Sequence, residues 1–252
     1  MPDAPPETSP ERRPGEPMRL DRRLVQLVGC SRGDAGRYIE GGWVRVDGAV
    51  VDEPQHLVTT QAVTLDPEAT LDAAEPATIA WHKPAGFEAG DAEAVRRAIV
   101  PETRWPADAS GWRTLKRHFA RLRPALPLAT PDAGLMVWSQ DGRVLKHLAD
   151  RGAQLEQEWL VDVDGELAPY GWRRITADAR FEGWPVPPFK VSWQSEQRLR
   201  FAIKGVRPGL LSHLCETVGL QARACRRLRI GRVPLAKMAP GEWRYLGAAE
   251  RF

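Results

Sequence analysis

At 252 residues the chain has room for one large domain, or for a small domain beside a larger one. Its composition is that of a globular protein, 42% hydrophobic and 27% charged. No apolar run approaches the roughly 18 residues that would suggest a membrane span. The net charge of +3 rules out a strongly polyanionic or polycationic chain, so charge must be read locally.

Residues 1–17, MPDAPPETSPERRPGEP, are Pro-rich and polar and lack the apolar core of a signal peptide. They read as a disordered tail rather than a targeting segment. Cys30, Cys215 and Cys225 are widely spaced and fit neither a disulfide framework nor a metal-ligand pattern, which points to a cytoplasmic protein.

Residues 18–66 read as a small module. MRLDRRLVQLV places Leu20, Leu24, Leu27 and Val28 at helical spacing. Ser31 is a good N-cap for a second helix, with Asp34 in its first turn and Gly41-Gly42 at its end. WVRVDGAVV then alternates through an Asp47-Gly48 hairpin turn. Arg19, Arg22, Arg23, Arg32 and Arg37 give this unit a basic surface.

The module resembles the S4-like RNA-binding domain. The matching residues are Arg19-Leu20-Asp21, Ser31-Arg32, Ile39, Gly42 and Val44-Arg45-Val46-Asp47-Gly48. The resemblance implies that this αα-hairpin and its arginines, with Ser31, meet structured RNA mainly through phosphates and shape.

Residues 67–77, acidic and small, read as a linker. Residues 78–252 follow as a second domain. TIAWHKPAGF is a strand ending at Lys83-Pro84, and WRTLKRHFARLR (112–123) reads as a basic amphipathic helix with Leu115, Phe119 and Leu122 on one face. LATPDAGLMVWSQDG (128–142) reads as a turn, a buried strand and a second turn. A helix (RVLKHLADRG), two strands (EWLVDVDGEL and RLRFAIKG) and a helix (LLSHLCETVG) come after it. No regular βαβ rhythm is visible, so the expected class is α+β with a mostly antiparallel sheet and a central cleft. Residues 198–232 hold nine Arg or Lys against the single acid Glu216; with the run at 112–123, this raises the expectation of a polyanionic partner, Arg227 and Arg229 included.

The order of motifs resembles the RsuA-like, small-ribosomal-subunit type of RNA pseudouridine synthase. The residues that carry it are His82-Lys83-Pro84-Ala85-Gly86, the stretch from Pro127 to Gly142, Gln157-Glu158-Trp159-Leu160-Val161, Arg227-Leu228-Arg229-Ile230-Gly231 and Pro240 to Leu246. The resemblance implies isomerisation of uridine to pseudouridine in structured RNA, ribosomal RNA foremost, by a chain needing no metal or cofactor. An aspartate carboxylate attacks while the N-glycosidic bond breaks, a cation keeps it ionised, and an aromatic ring packs on the flipped base.

Anchored on Gly134-Leu135 and Asp141-Gly142, the family's aspartate falls on Ala129, whose methyl can neither attack carbon nor carry charge. The arginine two places earlier falls on Pro127, the tyrosine on Trp159, and the lysine before that tyrosine on Gln157. Pro208 to His213 replace most of the arginines of a basic helix motif. Asp132 is either an ordinary turn former after Thr130-Pro131 or a displaced carboxylate that takes over; Lys83 is either an inherited cation facing RNA or a strand-end lysine. The expected protein is therefore a monomeric, non-catalytic binder of structured RNA. The alternatives are an active synthase using Asp132, and an interaction module that kept the fold and lost RNA.

Overall fold

The computed structural model describes residues 16–72, 75–177, 179–247 and 249–252. The expected tail lies, over residues 1–15, outside them. The chain divides into two compact units: one holds the residues up to Glu75 with Leu115–Arg117, the other holds Pro76–Thr114 and His118–Phe252.

The first unit opens with β1 (Met18–Arg19), α1 (Leu20–Val28) and α2 (Arg32–Glu40). Gly29, at φ 69°, closes α1 in the left-handed conformation. The Ser31 hydroxyl accepts the Asp34 amide at 3.1 Å and caps α2. β2 (Val44–Val46) and β3 (Ala49–Val50) then form a hairpin. Asp47 (φ 48°) and Gly48 (φ 82°) both take the positive φ of the turn that Asp-Gly favours. β4 (Leu57–Val58) pairs with β1, and β5 (Val63–Leu65) pairs with β2. Leu20, Leu24, Ala35, Ile39, Val44, Val46 and Val58 bury their side chains between these pieces. Each large aliphatic side chain buried in this way contributes about 2 kcal/mol.

The second unit is built on a nine-stranded sheet. Its elements in chain order are β6 (Thr78–Lys83), α3 (Ala92–Ala98), β7 (Arg123–Ala125), β8 (Ala133–Ser139), α4 (Gly142–Arg151), β9 (Gln157–Gly165), α5 (Gly171–Thr176) and the hairpin β10 (Arg180–Phe181) to β11 (Trp184–Pro185). Then come β12 (Lys190–Ser195), β13 (Arg198–Ile203), α6 (Leu210–Glu216), β14 (Leu220–Ile230), β15 (Val233–Pro234) and β16 (Trp243–Tyr245). The main path runs β12-β13-β9-β14-β8-β6-β16, with β7 and β15 on its margins. Among the described strands only β14 and β8 run parallel, which makes the fold α+β with a mostly antiparallel sheet. Alternation sends Met136 and Trp138 of β8 into one apolar cluster and Leu135 and Val137 into another, so both faces of the central strands are covered.

The basic helix expected over 112–123 does not form: the segment holds one 3-10 turn, Lys116–Phe119. Side chains from elsewhere take carbonyls that a helix would use, Arg104 that of Trp112 (2.9 Å) and Gln140 that of Ala120 (2.5 Å). His118 is buried on the Tyr245 hydroxyl at 2.8 Å, which breaks the Leu115–Phe119–Leu122 register.

Candidate functional site

The loop between β7 and β8 carries Ala129, where the motif spacing puts the expected nucleophile, and two buried cations clamp it by its backbone. Lys83, at the end of β6, is fully buried, and its ammonium donates to the carbonyls of Asp132 (2.7 Å), Thr130 (3.0 Å) and Pro84 (3.2 Å). Three acceptors match its three protons. The Gly86 amide donates to the Thr130 carbonyl at 2.8 Å. From β14, the Arg227 guanidinium donates to the carbonyls of Leu126 (2.6 Å) and Leu135 (2.7 Å) and lies 5.5 Å from the Trp159 ring centre. Burial pushes its pKa down to about 9, so it is a cation at neutral pH. Burial likewise pushes Lys83 down, with the charges of Asp132 and Glu88 opposing the fall.

Gly134 is fixed by this geometry. It sits at φ 106°, in register with Arg227 on the parallel strand, and a Cβ there would overlap the Arg227 backbone. That close approach explains the glycine on which the motif was anchored.

Asp132 ends the loop, its amide donating to the Ala129 carbonyl at 3.1 Å. Among the described residues no hydrogen bond reaches its carboxylate. Burial pushes its carboxyl above the ordinary carboxylate range, and the positive charges of Lys83 and Arg227 temper the rise. With Trp159, Arg207, Ser212 and Cys225 it lines a recess of about 20 Å³. That volume accommodates one water and no nucleobase. Trp159 is 2% exposed, and its indole N–H donates to Gln157 at 3.2 Å. The structure thus brings Asp132, Trp159 and Lys83 into one neighbourhood but covers the stacking face expected of Trp159. Lys83 turns to its own loop rather than to solvent.

Beside the recess lies a cleft of about 900 Å³ lined largely by apolar residues, among them Leu126, Pro127, Leu148, Val186 and Leu210. Val206 and Arg207 line both spaces. Arg207, Ser212 and Cys225 were not among the candidate site residues. Ser212 lies in the Pro208–His213 stretch, Arg207 directly before it and Cys225 on β14, and only their fold neighbours identify them.

The first unit presents its arginines differently. Arg19 (3.1 Å) and Arg32 (3.2 Å) share Asp21, which also accepts the Arg22 amide at 2.7 Å. Burial opposes ionisation of Asp21, but these hydrogen bonds outweigh it and hold the carboxyl below its ordinary range. Asp21 is buried while Arg19 and Arg32 are 48% and 70% exposed, so one buried anion aims two cations outward. Arg22 is exposed, Arg23 is half-buried, and Arg37 pairs with Asp34. Ser31 spends its hydroxyl on the α2 cap and on Asp34.

Four of the nine cations in the basic run at 198–232 are paired with carboxylates along the sheet. Arg198 pairs with Asp162, Arg200 with Glu158, Arg223 with Asp164, and Arg229 with Glu156 and Glu158. Arg227, expected to face RNA, is instead 3% exposed, because the loop carbonyls draw its guanidinium inward. Arg229 is bound to two carboxylates of β9 and the residue before it.

Comparison with known proteins fits this arrangement. The S4 domain family matches residues 18–63. The ribosomal small subunit pseudouridine synthase A of Pseudomonas aeruginosa is 29% identical over 241 residues, covering 92% of this chain and 98% of the relative. The dual-specificity RNA pseudouridine synthase RluF of Escherichia coli is 25% identical over 238 residues, covering 92% and 77%. A crystal structure of a pseudouridylate synthase superposes with a TM-score of 0.55 at 19% identity, covering 91% of this chain and 96% of the other. No described helix is long and apolar enough to cross a membrane. The S4 match, the similarity to these synthases over about nine-tenths of the chain and the shared sheet make the chain similar to RNA pseudouridine synthases of the RsuA and RluF kind.

Proposed function

We propose that this chain binds structured RNA, ribosomal RNA foremost, on a pseudouridine synthase scaffold that has lost the family's aspartate chemistry. The observation that carries the reading is Ala129. Its loop is held at both ends by Lys83 and Arg227, and the motif spacing puts the family's nucleophile where this methyl stands. The outward arginines of the S4 module supply the grip. The test is to incubate the purified chain with unmodified ribosomal RNA and quantify pseudouridine by mass spectrometry, alongside binding across a salt series. The reading expects no new pseudouridine and an affinity that falls steeply with salt, because phosphate contacts release counterions. Salt-independent or absent binding overturns it.

One observation favours a second reading. Asp132 shares its recess with Trp159 and lies in the field of two buried cations, an arrangement suited to a displaced nucleophile. Pseudouridine formed by the wild-type chain and abolished by Asp132→Ala would establish an active synthase.

A further inference from the structure

We propose that Gly205–Gly209 is a hinged strap that seals the Asp132–Trp159–Cys225 recess from the apolar cleft, with Arg207 as its latch. The strap is the partition between the two spaces, since Val206 and Arg207 line both. It is bounded by two glycines in the left-handed region, Gly205 at φ 65° and Gly209 at φ 82°, where the backbone turns without a side-chain clash. Pro208 stiffens the short stretch between them.

Apart from Val206, which packs against the apolar cluster, its fastening is a single side chain. The Arg207 guanidinium donates to the Phe181 carbonyl (3.0 Å), pairs with Glu182 (3.1 Å) and lies 5.2 Å from the Phe181 ring centre. All three contacts fall on the two-stranded β10–β11 hairpin. The partners are well exposed, the Arg207 side chain 43% and that of Glu182 64%, so water competes for the ion pair and the latch is weak enough to release. Release joins a space that holds one water to a cleft of about 900 Å³ and uncovers Trp159 and Cys225. The strap governs access, and it does so whether or not the recess retains any chemistry.

Two cysteines read the opening. Cys225 lines the recess and is 9% exposed, whereas Cys215, on α6, is fully buried; both belong to the same apolar cluster. Burial pushes both thiols up to about 12, so neither reacts at neutral pH until it is uncovered. In the wild-type chain, iodoacetamide labelling is followed at each cysteine by peptide mass mapping over a range of sub-denaturing urea. The strap predicts that Cys225 is alkylated faster than Cys215 and with a shallower urea dependence, because a local opening exposes little surface. Arg207→Ala should raise the Cys225 rate about tenfold and leave Cys215 unchanged. Equal rates and urea slopes at the two thiols in the wild type overturn the proposal. So does an Arg207→Ala chain in which Cys225 is no faster, or in which both thiols accelerate together.

Discussion

The S4 module and the β13-β9-β14 face are both rich in arginine, and they use it in opposite ways. In the module Arg19, Arg22, Arg23, Arg32 and Arg37 face two carboxylates, Asp21 and Asp34, and the excess positive charge points outward. On the sheet Arg198, Arg200, Arg223 and Arg229 meet Asp162, Glu158, Asp164 and Glu156, an even match. The difference comes from strand geometry. β9 presents a carboxylate at every second or fourth position on one face, and its antiparallel neighbours bring the arginines alongside. A basic run along the sequence therefore signals a polyanion partner only when no neighbouring strand supplies the countercharge.

The comparison breaks most severely at Arg227, which belongs to neither class. Arg227→Leu should destabilise the fold by about 3 kcal/mol, because it strands buried carbonyls of Leu126 and Leu135. Urea denaturation measures this, and the affinity of the remaining folded protein for RNA should be unchanged. Lost affinity at unchanged stability would return Arg227 to the RNA-facing set. The next largest effect is expected from Arg22→Glu with Arg23→Glu. Affinity for structured RNA should fall about 100-fold, and the slope of log affinity against log salt should become shallower by about 2. Arg198→Gln with Arg223→Gln removes two exposed, internally paired cations. It should change RNA affinity less than about threefold and stability by less than about 1 kcal/mol. A loss matching that of the S4 pair would erase the distinction between the two surfaces.

Local signals carried much of this organisation. The Ser31 cap, the Asp47-Gly48 turn and the strand into Gly134-Leu135 each rest on a few adjacent residues, and each forms where the pattern puts it. The segment 112–123 failed because its fate is set by Arg104 and Gln140, side chains distant along the chain that capture its carbonyls. The inward turn of Arg227 and the covering of Trp159 failed to show for the same reason. Both depend on which strand lies beside β14, and that is a property of topology rather than of any motif. The substitution at Ala129 was legible from spacing alone, whereas the Arg207 strap required the two cavities to be seen together.

The finest distinction concerns Asp132, whose carboxylate is half-buried and lacks a hydrogen-bond partner among the described residues. Burial raises its pKa in the folded chain above the unfolded value, taken as 3.8. Between that value and the raised one, the native state holds a proton that the unfolded chain has released. Stability must therefore fall as pH climbs through this window and stay reduced above it. Asparagine has nearly the same shape and no charge to desolvate. Asp132→Asn should accordingly be more stable than the wild type at pH 7, with the advantage shrinking as pH falls and gone below about 3.8. Urea unfolding of the two chains at matched pH measures the difference, and the other carboxylates cancel within it. An advantage of this form means that an ionised group is retained at a position where a neutral one folds better, which argues for a role beyond the turn. A difference independent of pH, or a less stable Asp132→Asn, would make Asp132 a structural turn residue and leave Ala129 without a substitute.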